Sequence, residues 1–293
     1  MSRLLIVDGH AYAYRAFHAI RELRSPCGEP TNAIYGFIKM LARMKAVLRP
    51  THLAVMWDGG LSRERTMALP GYKAERPPMP SDLEKQLDGM VEYLEASGIA
   101  SFCEDGVEAD DLIASVAQRA FEADLEIVIA SADKDFMQLV RPSVGLLNPN
   151  DKTEAVWTAE QVRAKTGVNP EQIVDWLSLI GDSVDNIPGV RGVGPKTAAE
   201  LLGQFGGVDA LYVRLAEVKS EKLRAALQSA EADVRRNQKL IRLQDNLPFD
   251  FSPVALMEQS PGGERLRVCF ARWGFKSMLA GLESASLAQG MLI

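Results

Sequence analysis

Nine acidic residues stand at or just past the ends of apolar segments, where a folded chain can gather them for metal chemistry. Asp8 and Asp58 each directly follow a strand-like apolar run, and three further carboxylates fall within residues 108–111. For residues 108–111 alone, an acidic first turn of a helix is the simpler interpretation, because helix N-termini favour negative charge. The recurrence at other segment ends favours one shared site. The full set is Asp8, Asp58, Glu108, Asp110, Asp111, Asp133, Asp135, Asp182 and Asp185.

A cluster of this size requires cations. Two carboxylates about 4 Å apart repel by roughly 4 kcal/mol at an effective dielectric near 20. Ligands that offer only oxygen select Mg²⁺ or Mn²⁺ rather than zinc, and His10, His18 and His52 form no zinc pattern. A pair of such ions about 4 Å apart suits hydrolysis of a phosphodiester bond. No Ser-His-Asp or Cys-His arrangement offers a competing nucleophile.

The segments before these acids predict an α/β fold. A buried strand over residues 3–7, an amphipathic helix capped by Thr31 and a second buried strand over residues 52–57 form a strand–helix–strand unit. Such a unit implies a parallel sheet, and sites in these sheets form at the carboxyl ends of the strands. Further strands are predicted at residues 99–103 and 126–130.

A basic, proline-punctuated stretch interrupts this pattern over residues 60–80. Arg63, Arg65, Lys73 and Arg76 surround Tyr72, and three prolines follow. Without context these cations are typical of a solvated surface. Their position immediately after a candidate site acid favours a segment that contacts phosphates.

The chain becomes helical from about residue 158. Capping boxes are predicted at Thr158 and Asn169, and a glycine-rich turn over residues 189–194 leads into a helix opened by Pro195. Such a turn presents backbone N–H groups that bind phosphate without reading bases. It lacks the spacing of a Walker A loop and the strand context of a dinucleotide fingerprint, so a helix-hairpin-helix is the better interpretation.

Composition is compatible with a nucleic-acid partner. The net charge is −6, but nine of the 39 acids belong to the proposed cluster, which leaves 30 against 33 Lys and Arg. The sequence has no apolar run of 18 residues, and the N-terminus leads directly into a strand. The 3 cysteines lack metal-type spacing. We therefore expect a cytoplasmic chain with reduced thiols and no membrane partner.

Seven motifs follow one another along the chain in a specific order. They are Leu5–Gly9 with Tyr14–Phe17, Trp57–Asp58, Gly71–Arg76, Glu108–Asp111, Asp133–Asp135, Gly181–Gly189 and Gly194–Ala198. In order and spacing they resemble the 5′–3′ exonuclease and flap endonuclease family, which includes the nuclease domains of bacterial DNA polymerases I. The resemblance covers residues 3 to about 284. One departure is Val184, where the family commonly has a small polar residue.

The resemblance implies a fold and a division into domains. The core would be a PIN-like, parallel-sheet-centred nuclease domain over residues 1–165, with a helical arch inserted at about 60–98. Residues 166–293 would form a helical DNA-binding region, with the helix-hairpin-helix (H3TH) at about 170–203.

The resemblance also implies roles for the site residues. Asp8, Asp58, Glu108, Asp110 and Asp111 would hold or support a first Mg²⁺, and the remaining four acids a second, with Mn²⁺ able to substitute. Lys73 and Arg76 would position the scissile phosphate and complete a catalytic set with Asp110 and Asp111, and Tyr72 would be available for stacking. A K⁺ ion would sit on carbonyls of the glycine turn. The predicted DNA contacts are Arg15, Tyr72, Lys73, Arg76, Gly189, Gly192, Gly194, Lys196 and Thr197.

The implied function is two-metal hydrolysis of DNA at a 5′ flap or at a 5′ end of a duplex junction, including RNA primers, during replication and repair. We expect a monomer associated with the bacterial nucleoid. A PIN-type ribonuclease and a non-catalytic DNA-binding homologue stay open as alternatives. A haloacid-dehalogenase-type phosphatase is disfavoured because His10, not an acid, stands two residues after Asp8. The chain is either a stand-alone nuclease or a fragment of a polymerase.

Overall fold

The computed structural model describes residues 2–151, 153, 155–248 and 252–290, without the side chains of 285–290. Its strands are β1 (Arg3–Asp8), β2 (His52–Trp57), β3 (Ala100–Cys103), β4 (Glu126–Ala130), β5 (Val144–Leu147) and β6 (Val156–Trp157). Its first six helices are α1 (Gly9–Ala19), α2 (Asn32–Leu48), α3 (Arg63–Ala68), α4 (Ser81–Ala96), α5 (Ala109–Glu122) and α6 (Ala159–Thr166). The others are α7 (Ile173–Ile180), α8 (Pro195–Phe205), α9 (Val208–Val213), α10 (Glu221–Ile241), α11 (Gly263–Trp273) and α12 (Lys276–Gly290).

The chain divides into two compact units. The first comprises Met1–Trp57, Pro78–Cys103 and Asp250–Ile293. The second comprises Asp58–Pro77 and Glu104–Phe249. The segment predicted as an arch, residues 60–98, is therefore divided: α3 and the turn after it belong to the second unit, and α4 belongs to the first.

The first unit is built on three parallel strands. β1 pairs with β2, which places Ile6 opposite Ala54, and β2 pairs with β3, which places Met56 opposite Phe102. Every residue of β2 is buried, as expected for a strand covered on both faces. The predicted strand–helix–strand unit and its parallel pairing are confirmed.

Helix α4 completes the packing of the first unit. Its Leu83, Met90 and Leu94 are fully buried, and its Gln86 reaches the N-terminus of α2. There the Gln86 side-chain oxygen accepts hydrogen bonds from the backbone N–H groups of Ala33 and Ile34, at 2.8 and 3.3 Å. This amide satisfies donors that α2 cannot pair internally.

The second unit joins a smaller strand group to a helical region. β4 pairs parallel with β5, and β5 pairs antiparallel with β6. A capping box at Thr158 opens α6, and Gly167 ends it at a φ of 83°. The capping box predicted at Asn169 is also present, with Gln172 as the reciprocal partner.

A helix–turn–helix within this unit carries the glycine-rich segment. α7 and α8 are joined through the turn 181–194, and the indole N–H of Trp176 on α7 donates to the carbonyl of Pro195 on α8 at 3.0 Å. The buried amide of Asn237 on α10 donates to the carbonyls of Pro188 and Ser178, at 2.7 and 3.2 Å. The turn is thus held from two sides. Within the described part of the chain, no helix is both long and apolar enough to cross a membrane.

Candidate metal and nucleic-acid site

Asp58 orients the first turn of α5. Its Oδ1 accepts a hydrogen bond from the backbone N–H of Ala109 at 2.8 Å, and the N–H of Gly59 donates to the carbonyl of Val107 at 3.0 Å. A carboxylate that receives a free N–H at a helix start is favoured by the helix dipole. Asp58 is therefore fixed beside the turn that carries Glu108 and Asp110.

Among the described acids of the second unit, Glu108 is the most buried, with 1% of its surface exposed. Its Oε2 accepts a hydrogen bond from the Tyr72 hydroxyl at 3.0 Å and pairs with the Lys73 ammonium, and its Oε1 accepts from the N–H of Ser62 at 3.0 Å. Burial alone would raise the pKa of Glu108, but Lys73 and Arg65 outweigh it, so the pKa lies below its usual range. Glu108 is thus held as a carboxylate.

Lys73 sits at the centre of the basic turn in a left-handed conformation, with a φ of 54°. Its backbone N–H donates to the carbonyl of Asp185 at 3.0 Å, and its ammonium lies 3.7 Å from Asp110 Oδ2. Burial would lower the pKa of Lys73, but the negative charges of Asp110, Glu108 and Asp185 raise it instead. Lys73 is therefore a permanent cation among the acids.

A second link joins the basic turn to the residue 182–186 segment. Arg76 Nη2 donates to Asp185 Oδ1 at 2.5 Å, and the Asn186 amide donates to the carbonyl of Gly71 at 2.9 Å. Asn186 adopts a φ of 57°, which asparagine tolerates better than most residues. Sequence reasoning assigned Asn186 no role, although an asparagine directly after an acidic turn is a known signal of such a conformation.

Asp133 and Asp135 form a close pair of acids after β4. Burial raises the pKa of both carboxyls, and the negative charges of Asp182 and Asp185 raise both pKa values further. The charge of Asp133 also raises the pKa of Asp135. Asp133 Oδ1 accepts the N–H of Asp135 at 2.9 Å, and Lys134 pairs with Asp182 at 3.1 Å. Among the described residues, Asp135 Oδ1 is buried without a hydrogen-bond partner. A buried oxygen of this kind is costly unless a cation approaches it.

These features fit hard divalent cations. The donors are carboxylate oxygens, one buried oxygen lacks a partner, and the pKa values of two acids are raised by their like-charged neighbours. Of the residues that the structure describes, no group of three or more His, Cys, Asp or Glu side chains is already arranged to hold a metal ion. Lys73, Arg76 and Lys134 each pair with a different acid of the set instead.

Two predicted site residues lie in the first unit. Asp8 is the last residue of β1 and caps α1, where its Oδ1 accepts the N–H of Ala11 at 3.0 Å. Arg15 is exposed on α1. Both occupy the positions along the chain at which the motif predicted functional residues.

Two predicted site residues are buried and paired within the protein. The Tyr72 ring is 4% exposed and its hydroxyl is bonded to Glu108, so in this conformation it has no free face on which a base could stack. The Asp111 carboxylate is 3% exposed, and Arg65 binds both of its oxygens at 2.7 Å. The sequence placed Arg65 in a segment expected to contact phosphates and gave no sign of this partner, because the pairing joins residues that are 46 positions apart.

The glycine turn presents polar backbone at the surface. Gly189, Gly192, Gly194 and Lys196 are exposed, and Thr197 is half-buried. Gly192 has a φ of 83°, which favours glycine, and any side chain on Gly189 would collide with the backbone of Ile180. The geometry leaves N–H groups at the start of α8 available to a phosphate.

Comparisons with known proteins agree with the fold. Residues 3–167 match the family model of the 5′-3′ exonuclease N-terminal resolvase-like domain, and residues 168–263 match that of the 5′-3′ exonuclease C-terminal SAM fold. A 5′-3′ exonuclease of Aquifex aeolicus is 37% identical over 97% of this chain and 96% of its own length. DNA polymerase I of Bacillus caldotenax is also 37% identical over 97% of this chain, which spans only 33% of that polymerase.

Solved structures share the fold at lower identity. A T5 5′-exonuclease described with bound divalent zinc ions has a TM-score of 0.69 and 24% identity, covering 83% of this chain and 90% of its own. The catalytic core of Rad2 in complex with DNA substrate has a TM-score of 0.62 and 17% identity, covering 96% of this chain and 92% of its own.

Proposed function

The chain belongs to the 5′-3′ exonuclease family, and from that premise we propose that it hydrolyses phosphodiester bonds of DNA at 5′ flaps and at 5′ ends of duplex junctions. The observation that carries the proposal is the acid cluster of the second unit, in which Lys73 and Arg76 contact three of the acids, namely Glu108, Asp110 and Asp185. A protein that only bound DNA would have no use for carboxylates that repel phosphate. Processing of flaps and RNA primers in bacterial replication and repair belongs to the same proposal, as do a monomeric state and a cytoplasmic location near the nucleoid.

The proposed cofactor is a pair of Mg²⁺ ions, replaceable by Mn²⁺. Asp8, Asp58, Glu108, Asp110 and Asp111 would hold or support the first ion, and Asp133, Asp135, Asp182 and Asp185 the second. Bound ions would lower the pKa of the attacking water and stabilise the negative charge that develops on the leaving 3′ oxygen. Support comes from the raised pKa values of Asp133 and Asp135 and from the unpartnered oxygen of Asp135.

The chain's own cations would bind and orient the substrate. Arg76 has 40% of its side chain exposed beside Asp185, and its planar fork suits a phosphate that approaches from solvent. Lys73 is buried and fixed by its contacts to Glu108 and Asp185, so it would hold a phosphate at one defined position. The glycine turn at 189–194, with Lys196 and Thr197, would bind duplex backbone away from the cut and would favour a K⁺ ion on its carbonyls.

Cleavage of a 5′-labelled flap duplex tests the proposal. We expect Mg²⁺-dependent products cut near the flap junction, and no product with EDTA or with Asp110→Ala. Glu160→Ala is the matched control, because Glu160 is an exposed acid in the first turn of α6 outside the cluster. Binding without cleavage under both Mg²⁺ and Mn²⁺ would reject the nuclease and leave a DNA-binding module. A single-stranded or structured RNA that is cut faster than the flap would favour the alternative of a PIN-type ribonuclease.

A further inference from the structure

Arg65 is a buried cation that is bonded within the protein on all three of its nitrogens. It is 5% exposed, donates four hydrogen bonds and forms a further ion pair. The partner atoms are Asp111 Oδ1 and Oδ2 at 2.7 Å, Glu108 Oε1 at 3.3 Å, and the carbonyls of Leu240 and Arg242 at 2.8 and 3.1 Å. A side chain bonded in this way cannot also contact DNA. Arg65 therefore differs from Arg63, which is exposed on the same helix.

Asp111 is engaged to a similar extent. Its Oδ1 accepts from Arg65 and from the backbone N–H of Gln244 at 2.9 Å, and its Oδ2 accepts from Arg65. The preceding residue, Asp110, is half-buried and lies 3.7 Å from the Lys73 ammonium, on the side where the other acids gather. Consecutive carboxylates in one helical turn thus point to different partners. One belongs to the acid cluster, and the other belongs to the ion pair with Arg65.

The ion pair joins three elements of the second unit. Arg65 is on α3, Asp111 is in the first turn of α5, and the carbonyls of Leu240 and Arg242 end α10. Through its contact with Glu108, Arg65 also fixes the acid that Tyr72 and Lys73 bind. The guanidinium group of Arg65 therefore links α3 and the end of α10 to the acidic turn, in addition to the contacts of Tyr72 and Lys73 with Glu108.

We propose that Arg65 and Asp111 are positioning residues and that Asp111 is not a metal ligand. The proposal rests on the proposed function, because it concerns the first metal site of that nuclease. It states which residues hold this site in position relative to Lys73. Lysine cannot replace arginine here, since an ammonium is a single point of charge and cannot donate the four hydrogen bonds that the guanidinium makes to acceptors on two helices. Removal of one partner leaves an uncompensated charge inside the protein, which is destabilising.

The test counts bound Mn²⁺ by electron paramagnetic resonance and records thermal unfolding for matched pairs of variants. We expect Asp110→Asn to lose or weaken an ion by tenfold or more with little change in Tm. We expect Asp111→Asn to keep the wild-type number of ions and affinity within about threefold, while its Tm falls by about 5–10 °C. Arg65→Lys should show the same fall in Tm, and Arg63→Lys should not.

Flap cleavage at 25 °C, below the Tm of each folded variant, separates positioning from stability alone. Arg65→Lys is expected to lower kcat at least tenfold with KM within twofold, because the acids and Lys73 lose register while the DNA contacts remain. An unchanged kcat in Arg65→Lys would reject the positioning role.

The double variant Arg65→Met with Asp111→Leu covers the case in which Asp111→Asn does not fold. It removes both buried charges together and keeps similar volume, so a folded protein is expected. It should bind the same number of Mn²⁺ ions as the wild type. Loss of an ion in this variant or in Asp111→Asn, matching the loss in Asp110→Asn, would overturn the proposal. A wild-type chain that neither binds Mn²⁺ nor cleaves DNA would overturn the proposed function instead.

Discussion

Three cations of the second unit each pair with a different acid that we propose as a metal ligand. Lys73 pairs with Glu108, Arg76 with Asp185, and Lys134 with Asp182. These pairs partly neutralise the cluster in the protein without metal. They do not reach Asp135, whose Oδ1 has no partner among the described residues. The uncompensated charge of the cluster is therefore concentrated at Asp133 and Asp135.

The raised pKa values of Asp133 and Asp135 predict a pH dependence of stability without metal. A carboxyl whose pKa in the folded protein exceeds its unfolded value, near 3.9 for Asp, binds protons more tightly when folded. The stability gained from that proton is present at low pH and is lost as the pH rises through the raised pKa values. We expect the Tm in EDTA to fall as the pH rises above about 4.

Asp135→Asn should flatten this dependence, because the amide does not titrate. At pH 8 in EDTA the variant should unfold at a higher temperature than the wild type, by a few degrees for about 1 kcal/mol of relieved repulsion. Glu160 is an exposed acid outside the cluster, so Glu160→Ala should show the same dependence of Tm on pH as the wild type. An equal fall of Tm with pH in the wild type and in Asp135→Asn would show that the repulsion arises from other residues.

Asp110→Ala separates chemistry from binding at the residue scale. Asp110 is half-buried, and its carboxylate lies 3.7 Å from Lys73 Nζ. We expect cleavage of a flap duplex to fall by at least 10³-fold, because a first metal site would lose a ligand. The Kd for the same DNA, measured by fluorescence anisotropy with Ca²⁺, should change less than threefold. An equal loss of binding would contradict the assigned role.

At the scale of elements, the glycine turn between α7 and α8 is the second functional feature. It exposes backbone N–H groups at the start of α8, and Lys196 adds an exposed cation there. We expect Lys196→Ala to weaken binding to duplexes of different sequence by the same factor, with the slope of log Kd against log salt reduced by about 1. Glu200→Ala, at an exposed acid of the same helix, should not weaken binding. A sequence-dependent loss would reject a phosphate contact.

Asn237 on α10 supports this turn from below. It is fully buried and donates to the carbonyls of Pro188 and Ser178. Asn237→Leu is nearly isosteric but leaves both carbonyls without that donor, which costs about 1–3 kcal/mol. We expect a lower midpoint of urea unfolding and weaker duplex binding. Unchanged binding at full folding would mean that the turn keeps its shape without Asn237.

Local signals in the sequence predicted the elements well, and long-range partners were not predictable. The strands, the two capping boxes and the helix opened by Pro195 follow from short patterns and are confirmed. Thr31 does occupy the N-cap position of α2, but its hydroxyl lacks a partner within the described residues, and Gln86 from α4 binds the helix start instead. No local pattern links residues that are 53 positions apart.

The same reason explains what was missed at the site. The order of acids at strand ends indicated a cluster, because carboxyl ends of parallel strands share one edge. The burial of Tyr72 and the ion pair of Arg65 with Asp111 depend on how α3, α5 and α10 pack together. Composition treats Arg63 and Arg65 alike, and only the fold distinguishes the exposed cation from the buried one.

At the scale of the whole molecule, one chain carries both family domains. It spans about a third of its DNA polymerase I relatives and 96% of the Aquifex aeolicus 5′-3′ exonuclease. Residues 3–167 and 168–263 match the two family models in succession. The predicted domains at 1–165 and 166–293 stay a prediction, since the compact units group residues differently and the extreme ends lie outside the described residues.

Divalent metal should stabilise the whole chain, because a site built from distant segments exists only in the folded state. The proposed ligands of the second unit come from Asp58, the first turn of α5, the segment after β4 and the turn after α7. Binding at about 100 times Kd adds about 2.7 kcal/mol per site, which corresponds to a rise in Tm of about 5–10 °C. We expect Mg²⁺ and Mn²⁺ to give this rise, and an equal ionic strength of NaCl not to.

Variants decide whether the rise comes from the acid cluster. Asp110→Asn should reduce the metal-induced rise in Tm. Asp135→Asn should reduce this rise further, because the variant loses a ligand. Its Tm without metal should also be higher, because it lacks a repulsive charge. Glu160→Ala should keep the full rise. A shift that is equal in all variants would place the stabilising ion outside the cluster. No shift at millimolar Mg²⁺ would mean that metal joins the site only together with DNA.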